Sequence, residues 1–278
     1  MVFAEAKELL QAQFEFPIGL SKPYKLCDYK PVYGAAFSRW VSNYDYWGHC
    51  DIDLIWGNIR TFFTDELLEK YDRILNQGHC SVYRNCEKVN RYYRTLDSMG
   101  CMDWRTVYSS ERHFSFDEYA EHNGGGLSLI MEKNNVPIYA EWPFANIEFR
   151  NQYFQLTLTN DKYFSCEEDL MGCFFERNRD GLYFWYRKDG NCLKEEFMYV
   201  HFSKRVIKGA DRCAGSEYYI LVPPGLLMMK MEPIALDTAE RIMKDNIARV
   251  KRISYNNERK TVQFAKRVVR RVKRMMQQ

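Results

Sequence analysis

Two aspartates separated by one residue lie in an aromatic, apolar stretch from Tyr46 to Gly57. Side chains of an extended chain alternate between two faces, so Asp51 and Asp53 are predicted to share one face and Ile52 to occupy the other. Two carboxylates at a strand end can hold a hard divalent cation through oxygen. Aspartates at this spacing also cap the next helix or face solvent, and the spacing alone leaves these alternatives open.

The segments around this motif predict alternating helices and strands. Apolar positions with helical spacing predict helices at Phe3–Phe16, from Pro31 with a buried face of Phe37, Trp40, Val41 and Tyr44, at Asp65–Asn76 after a Thr64 cap, and at Glu87–Leu96. A short strand is predicted at His79–Tyr83, and a glycine triplet at 124–126 predicts a loop. That triplet lacks the lysine and spacing of a phosphate-binding loop.

From about Ile147 the apolar pattern changes to a period of two, which indicates antiparallel strands. Two hairpins are predicted, Tyr153–Thr159 with Lys162–Cys166 and Gly181–Arg187 with Cys192–Phe202. The order of elements therefore predicts an α/β fold with a mixed sheet flanked by helices, followed by an antiparallel β patch.

Cysteine usage and hydropathy exclude several classes of protein. The nine cysteines form no C-x-x-C pair and have no matched histidines at zinc-ligand spacing. The first ten residues carry charge and lack the apolar core of a signal peptide. The longest uncharged run, near Tyr218–Met229, is too short to span a bilayer. These features predict a reduced, cytoplasmic protein.

Charge is unevenly distributed along the chain. Residues 241–278 hold 13 Lys and Arg against 2 Asp and Glu, whereas the remainder holds 27 against 35. The sequence thus predicts an acidic domain at residues 1–235 and a basic amphipathic tail at 236–278. Such a tail could lie on anionic lipid, contact phosphates of nucleic acid, or remain solvated. The acidic domain argues against nucleic acid.

Four segments together resemble one bacterial family of glycosyltransferase-like proteins found in capsule and polysaccharide gene clusters, mostly described as a domain of unknown function. The segments that carry the resemblance are Lys22–Gly34, Tyr44–Gly57, Phe116–Tyr119 and His201–Arg205. The family is similar to the GT-A nucleotide-sugar transferases. The resemblance covers roughly Phe3 to Lys208 and implies a GT-A-like fold.

The resemblance also implies roles for individual residues. Asp51 and Asp53 would hold Mn²⁺ or Mg²⁺ at the donor diphosphate, and His201 resembles a late third ligand. Contacts to the nucleotide sugar, a UDP-sugar, would come from Lys25, Asp28 and Lys204. The alternatives are a buried hydrogen-bonded histidine for His201 and a surface ion pair of Lys25 with Asp28.

Asp117 and Glu118 are the candidates for an acceptor-side base, because an inverting transferase needs a carboxylate to take the acceptor hydroxyl proton. Alternatively, both acids cap the helical turn that follows them. GT-A folds begin with a βαβ part, and this chain begins inside what looks like the helix after it. The expectation is therefore a fold that lacks this first part.

The motif, the resemblance and the basic tail together lead to two functional hypotheses. The first is a metal-dependent glycosyltransferase that moves a sugar from a nucleotide-sugar donor to a glycan or lipid-linked acceptor, with the tail at the inner face of the cell membrane. The second is a catalytically inactive transferase that binds a glycan or a partner enzyme at the membrane surface. Nucleic-acid binding through the tail is a weaker third hypothesis.

Overall fold

The computed structural model describes residues 1–141, 143–148, 152–157, 160–164, 166–203, 205–229 and 232–275, of which 262–275 are described by their backbone alone. It contains two compact units. Unit 1 comprises Met1–Ile52 and Phe63–Trp142, and unit 2 comprises Asp53–Phe62 and Pro143–Gln278. Both contain helices and mixed sheets, so the predicted α/β class is confirmed at this level.

The strands, numbered in chain order, are β1 (Tyr46–Cys50), β2 (Leu54–Trp56), β3 (Arg73–Gln77), β4 (Cys80–Arg84), β5 (Ile138–Tyr139), β6 (Ala145–Asn146), β7 (Phe174–Arg177), β8 (Leu182–Lys188), β9 (Asn191–Phe197), β10 (Tyr199–His201), β11 (Tyr219–Val222) and β12 (Leu226–Met229). Unit 1 holds a mixed sheet in the order β1-β4-β3-β5, in which only β3 and β5 are parallel.

Short helices surround the sheet of unit 1. Their bounds are Phe3–Gln11, Leu26–Tyr29, Tyr33–Ala36, Ser38–Val41, Asp65–Lys70, Glu87–Asn90, Tyr92–Thr95, Trp104–Ser109 and Leu127–Lys133, with single 3₁₀ turns at Pro23–Lys25, Lys30–Val32 and Glu121–Asn123. Their apolar sides form an aromatic core in which Phe14, Tyr29 and Tyr108 are buried and in mutual ring contact. The first predicted helix is confirmed, although it ends at Gln11.

The predicted helix Asp65–Asn76 is correct only in its first half. Thr64 Oγ1 accepts a hydrogen bond from Leu67 N at 3.2 Å, and the helix ends at Lys70. The second half is β3, which lies between β4 and β5 and is buried on both faces. A short apolar run in a central strand has no alternation, so its periodicity cannot be distinguished from that of a helix.

The predicted single helix from Pro31 is also wrong in its buried face. The backbone leaves the helical region at Phe37 (φ −107°, ψ 24°), which separates two short helices and changes the face presented afterwards. Trp40 and Tyr44 are therefore exposed, by 45% and 66%. The Arg39 guanidinium covers the Trp40 ring at 3.7 Å from its centroid.

Unit 2 holds two sheets among its described residues. The first has the order β2-β10-β6, with β10 antiparallel to β2 and parallel to β6. The second is antiparallel throughout, in the order β12-β11-β7-β8-β9. The helices of unit 2 are Ile59–Phe62, Asn160–Tyr163, Glu167–Gly172, Ala210–Cys213 and Leu236–Met275.

One predicted hairpin is confirmed, except that its second strand ends at Phe197 and Tyr199–His201 belongs to the other sheet, and the other hairpin is wrong. β8 and β9 pair around Asp189 (φ 50°) and Gly190 (φ 81°), which supply the two positive φ angles that a tight two-residue hairpin turn needs. Between Tyr153 and Cys166, by contrast, the described residues contain the helix Asn160–Tyr163 and no strand. Phe154, Leu156 and Tyr163 are buried in the core of unit 2, so their alternation reflects tertiary packing.

The long helix Leu236–Met275 begins beside a buried carboxylate. Glu176 on β7 accepts hydrogen bonds from Trp185 Nε1 (2.7 Å), Ile234 N (2.9 Å) and Asn178 Nδ2 (3.2 Å), and Lys194 Nζ lies 3.1 Å away. These contacts fix the start of the helix to the five-stranded sheet. The helix then buries Ala239, Met243, Asn246 and Val250, spaced three or four residues apart.

We expect Glu176→Ala to lower the free energy of unfolding by about 3–5 kcal/mol, because it leaves several buried donors without an acceptor. Urea unfolding followed by circular dichroism measures this change. Glu217→Ala is the matched control, since Glu217 forms an exposed ion pair with Arg179 and its loss should cost no more than about 0.5 kcal/mol. Equal effects of the two substitutions would contradict this account of Glu176.

Candidate metal site and the ion cluster of unit 1

The two aspartates of the motif lie in the short link between β1 and β2. β1 ends at Cys50, and Asp51 N donates a hydrogen bond to His79 O at 2.8 Å. Phe202 N donates to Asp53 O at 3.1 Å, which holds the second aspartate beside the end of β10. Ile52 between them is fully exposed. The strand end predicted from the sequence is therefore present, and a second strand follows it directly.

Within unit 2, the structure brings His201 to Asp53. His201 is the last residue of β10, in register with Leu54 of β2 and Asn146 of β6. Its Nε2 lies 3.4 Å from Asp53 Oδ1, and its Nδ1 lies 2.9 Å from Asn146 Oδ1. If Nδ1–H donates to the Asn146 amide oxygen, Nε2 and the Asp53 carboxylate face each other, and a shared proton or cation stabilises that arrangement.

Within unit 2, Asp53 and His201 each offer one ligand atom at this point, and Asp51 precedes Asp53 by two residues in the chain. Asp51 and Asp53 are half-buried and His201 is buried. Two carboxylates and one imidazole are a donor set that first-row divalent metals accept. Mg²⁺ takes oxygen ligands in preference to nitrogen, so the imidazole makes this set a better fit for Mn²⁺ than for Mg²⁺.

In unit 1, Asp51 belongs to an ion cluster that the sequence did not reveal. Lys30 Nζ lies 2.8 Å from Asp51 Oδ1 and 3.4 Å from Asp117 Oδ2, and donates to Gly78 O at 2.6 Å. Burial opposes the charge of Lys30, but the carboxylates of Asp117 and Asp51 outweigh burial and raise its pKa. The signal in the sequence was the density of charge in residues 22–31, which hold three lysines and one aspartate among apolar residues.

Asp117 is the most deeply buried carboxylate of this cluster. Its side chain is 3% exposed, and burial raises its pKa from 3.8 to about 7, although Lys30 opposes that shift. Glu118 is half-buried, and its Oε1 accepts a hydrogen bond from Gly78 N at 3.1 Å. Of the two predicted bases, Asp117 therefore has a proton affinity suited to neutral pH, and Glu118 is the more accessible to solvent.

The pKa of Asp117 predicts a pH-dependent contribution to stability. The unfolded chain ionises this group above about pH 4, whereas the folded chain keeps the proton until about pH 7. The contribution therefore falls as pH rises through this interval. We expect the unfolding free energy of Asp117→Asn, relative to that of wild type, to increase by about 2–4 kcal/mol from pH 4 to pH 8. Urea unfolding at a series of pH values measures this change. Parallel pH curves for Asp117→Asn and wild type would contradict this prediction, and the exposed Asp180→Asn is the control.

Arg73 is a second residue that sequence reasoning missed. It is fully buried at the start of β3, where its guanidinium donates to Ser81 Oγ, Ser128 Oγ and Asp117 O at 2.9–3.0 Å. It thereby ties the backbone of Asp117 to the sheet. A buried guanidinium needs several acceptors, but the burial of Arg73 became apparent only with the burial of β3 in the structure.

Lys25 and Asp28, predicted to contact the nucleotide, form a buried clamp. Lys25 Nζ lies 2.8 Å from Asp28 Oδ2 and donates to Val107 O at 2.9 Å. Asp28 also accepts from the backbone N–H groups of Phe114 (3.0 Å) and Phe116 (2.8 Å). The side chains are 2% and 0% exposed, so this pair fastens the segment before Asp117 to the first helices. The ion pair of the alternative is present, but it is buried and not at the surface.

Two further predictions concern residues at the edges of what is described. Lys204, predicted to contact the donor phosphates, lies outside the described residues. The helix predicted for the basic tail is present, and its backbone is helical without a break from Leu236 to Met275. Among the described residues, no helix combines the length and hydropathy needed to cross a bilayer.

A family model matches residues 1–229 of the chain. The chain belongs to the DUF6625 family. This is a family of unknown function, so membership by itself carries no activity. The part matched by the DUF6625 model includes both sets of charged residues described above and ends before the long helix begins at Leu236. No curated protein and no solved structure matches the chain.

Proposed function

We propose that this protein is a metal-dependent glycosyltransferase of GT-A type that uses a nucleotide-sugar donor. The observation that carries the proposal is the approach of His201 Nε2 to Asp53 Oδ1 at 3.4 Å, with Asp51 only two residues earlier in the chain. Residues that are 148 positions apart in sequence thus present an imidazole and a carboxylate to the same point. The D-x-D motif of the resembling family supports the same function.

Each side chain near the metal site would have a different role in this reaction. Asp53 and His201 would hold the metal with Asp51 as the third candidate ligand, and Asn146 would orient His201 by accepting a hydrogen bond from its Nδ1–H. Bound there, Mn²⁺ would act as a Lewis acid that neutralises the charge developing on a leaving nucleoside diphosphate. Lys30 holds Asp51 in place through its contact at 2.8 Å. The acceptor is a glycan or a lipid-linked sugar, and Glu118 or Asp117 would take the proton of its hydroxyl group.

Calorimetric titration of the purified protein with MnCl₂, and then with UDP-glucose, UDP-galactose and UDP-N-acetylglucosamine in the presence of Mn²⁺, tests the proposal. We expect Mn²⁺ to bind more tightly than Mg²⁺ and to be required for donor binding. Slow Mn²⁺-dependent release of UDP from one donor would support transfer chemistry. A protein that binds neither the metal nor any donor would overturn it.

The second candidate is a non-catalytic binding protein, favoured by one observation in unit 1. The Lys30 ammonium already compensates the carboxylates of Asp51 and Asp117. A degenerate transferase could use the same contact to remain stable without a metal. Donor or glycan binding that is unaffected by EDTA, with no UDP release, would favour this candidate over the enzyme.

A further inference from the structure

The C-terminal part of the long helix leaves the core of unit 2. Up to Thr261, where the described side chains of this helix end, the last fully buried one is Val250, and the described side chains from Tyr255 to Thr261 are exposed. The backbone nevertheless remains helical to Met275. At about 1.5 Å per residue, the helix beyond Val250 is roughly 37 Å long. The family match ends at Met229, so this helix lies outside the residues that the family model matches.

In this helical segment, basic and apolar residues fall on two separate sides of the helix. From Arg259 to Met275 it contains eight basic residues, seven apolar residues, one threonine and one glutamine. At about 100° per residue, all the basic positions fall within one arc of roughly 160°. These are Arg259, Lys260, Lys266, Arg267, Arg270, Arg271, Lys273 and Arg274.

The apolar positions occupy the opposite arc of the helix, also roughly 160° wide. They are Val262, Phe264, Ala265, Val268, Val269, Val272 and Met275. Thr261 falls within the apolar arc and Gln263 within the basic arc. Acidic residues are absent from Arg259 to Met275. The two arcs therefore do not overlap, although the apolar residues are mostly small.

We propose that the segment Arg259–Met275 is an interfacial helix that binds the surface of an anionic lipid bilayer, lying in its plane. A bilayer surface offers what both arcs require at once, acyl chains for the apolar arc and anionic headgroups for the basic arc. Nucleic acid would use the basic arc and leave the apolar arc without a function. A second copy of the helix would cover the apolar arc but leave the basic arc of each copy facing outward without an anionic partner.

The proposal is independent of the metal site, because it rests on residues beyond the family domain. Co-sedimentation of the full chain with phosphatidylcholine vesicles, with and without 30% phosphatidylglycerol, tests it. We expect the partition coefficient to rise about tenfold or more with the anionic lipid, and to fall as NaCl is added. Equal, weak partition into both kinds of vesicle would overturn the proposal.

A matched variant separates the arrangement of residues from their composition. Exchanging neighbours in Arg267→Val, Val268→Arg, Val272→Lys and Lys273→Val keeps length, charge and composition, but mixes the two arcs. We expect this variant to lose about tenfold in partition into anionic vesicles. Partition equal to that of wild type would overturn the proposal of an interfacial helix, because net positive charge alone would then account for binding to the anionic lipid.

Two further readouts complete the test. The chain holds six tryptophans, so the emission of Phe264→Trp is read as the difference from wild type. This difference should shift to shorter wavelength with anionic vesicles, because the added indole enters an apolar region. An unshifted emission during co-sedimentation would contradict the in-plane helix. Tight binding to a 30-base-pair DNA duplex, with no vesicle binding, would overturn the proposal in favour of nucleic acid. Mn²⁺ binding is expected to be unchanged in the exchange variant.

Discussion

Replacing Asp53 with alanine is expected to weaken Mn²⁺ binding by about a hundredfold or more and to abolish Mn²⁺-dependent release of UDP from a donor. The side chain of Asp53 is 39% exposed, so its removal should leave the fold intact. Its backbone hydrogen bond with Phe202 does not involve the side chain and is kept. Calorimetry measures the metal affinity, and circular dichroism checks the fold.

Two variants make this prediction specific. Asp180→Ala removes an exposed aspartate of the same unit and should bind Mn²⁺ as wild type does. Asn146→Ala keeps all three ligands but removes the acceptor that orients His201, so a loss of about 10–100-fold in affinity is expected. If Asp53→Ala retains the affinity of wild type, the metal site as proposed is wrong, whatever the activity.

The second large effect is expected from Lys30→Met, which removes the ammonium that lies 3.4 Å from Asp117 Oδ2 and 2.8 Å from Asp51 Oδ1. The loss leaves the buried Asp117 carboxyl without this cation and Gly78 O without this donor. We expect the free energy of unfolding to fall by about 3–5 kcal/mol. Urea unfolding at pH 8, where Asp117 is ionised, measures the effect.

A double variant distinguishes lost charge compensation from lost packing. Adding Asp117→Asn to Lys30→Met removes the charge that the lysine compensated, so we expect a recovery of about 1–3 kcal/mol. Lys22→Met is the matched control, because Lys22 is exposed and precedes the same helices. If the double variant is no more stable than Lys30→Met, the ion cluster does not stabilise unit 1 in this way.

Much of the fold could be predicted where a local signal was strong. The hairpin of β8 and β9 was predicted from Asp189-Gly190, because positive φ angles at both turn positions restrict the residue types. The first turn after Thr64 was predicted from its capping side chain. The predictions at β3 and at Tyr153–Cys166 were wrong, because there burial in a tertiary core, rather than local propensity, decides the conformation.

Only part of the candidate site could be predicted from the sequence, for the same reason. The sequence indicated Asp51 and Asp53, since two acids at a strand end form a local pattern. It did not identify the partners of Lys30, Arg73, Gly78 or Asn146, because these contacts join residues from different elements. Asp28 was found as a residue of interest, but its contacts with Phe114 and Phe116 became apparent only in the structure.

The sequence by itself determined the α/β class, the acidic pair and the two arcs of the basic helix. These features depend on residue type and on spacing within a single element, and they can be read without knowing what packs against that element. Tertiary structure alone decided that His201 faces Asp53, that Lys30 joins Asp51 to Asp117, and that Lys25 and Asp28 are buried. Such contacts depend on strand order and chain reversal over long separations, which no local pattern records.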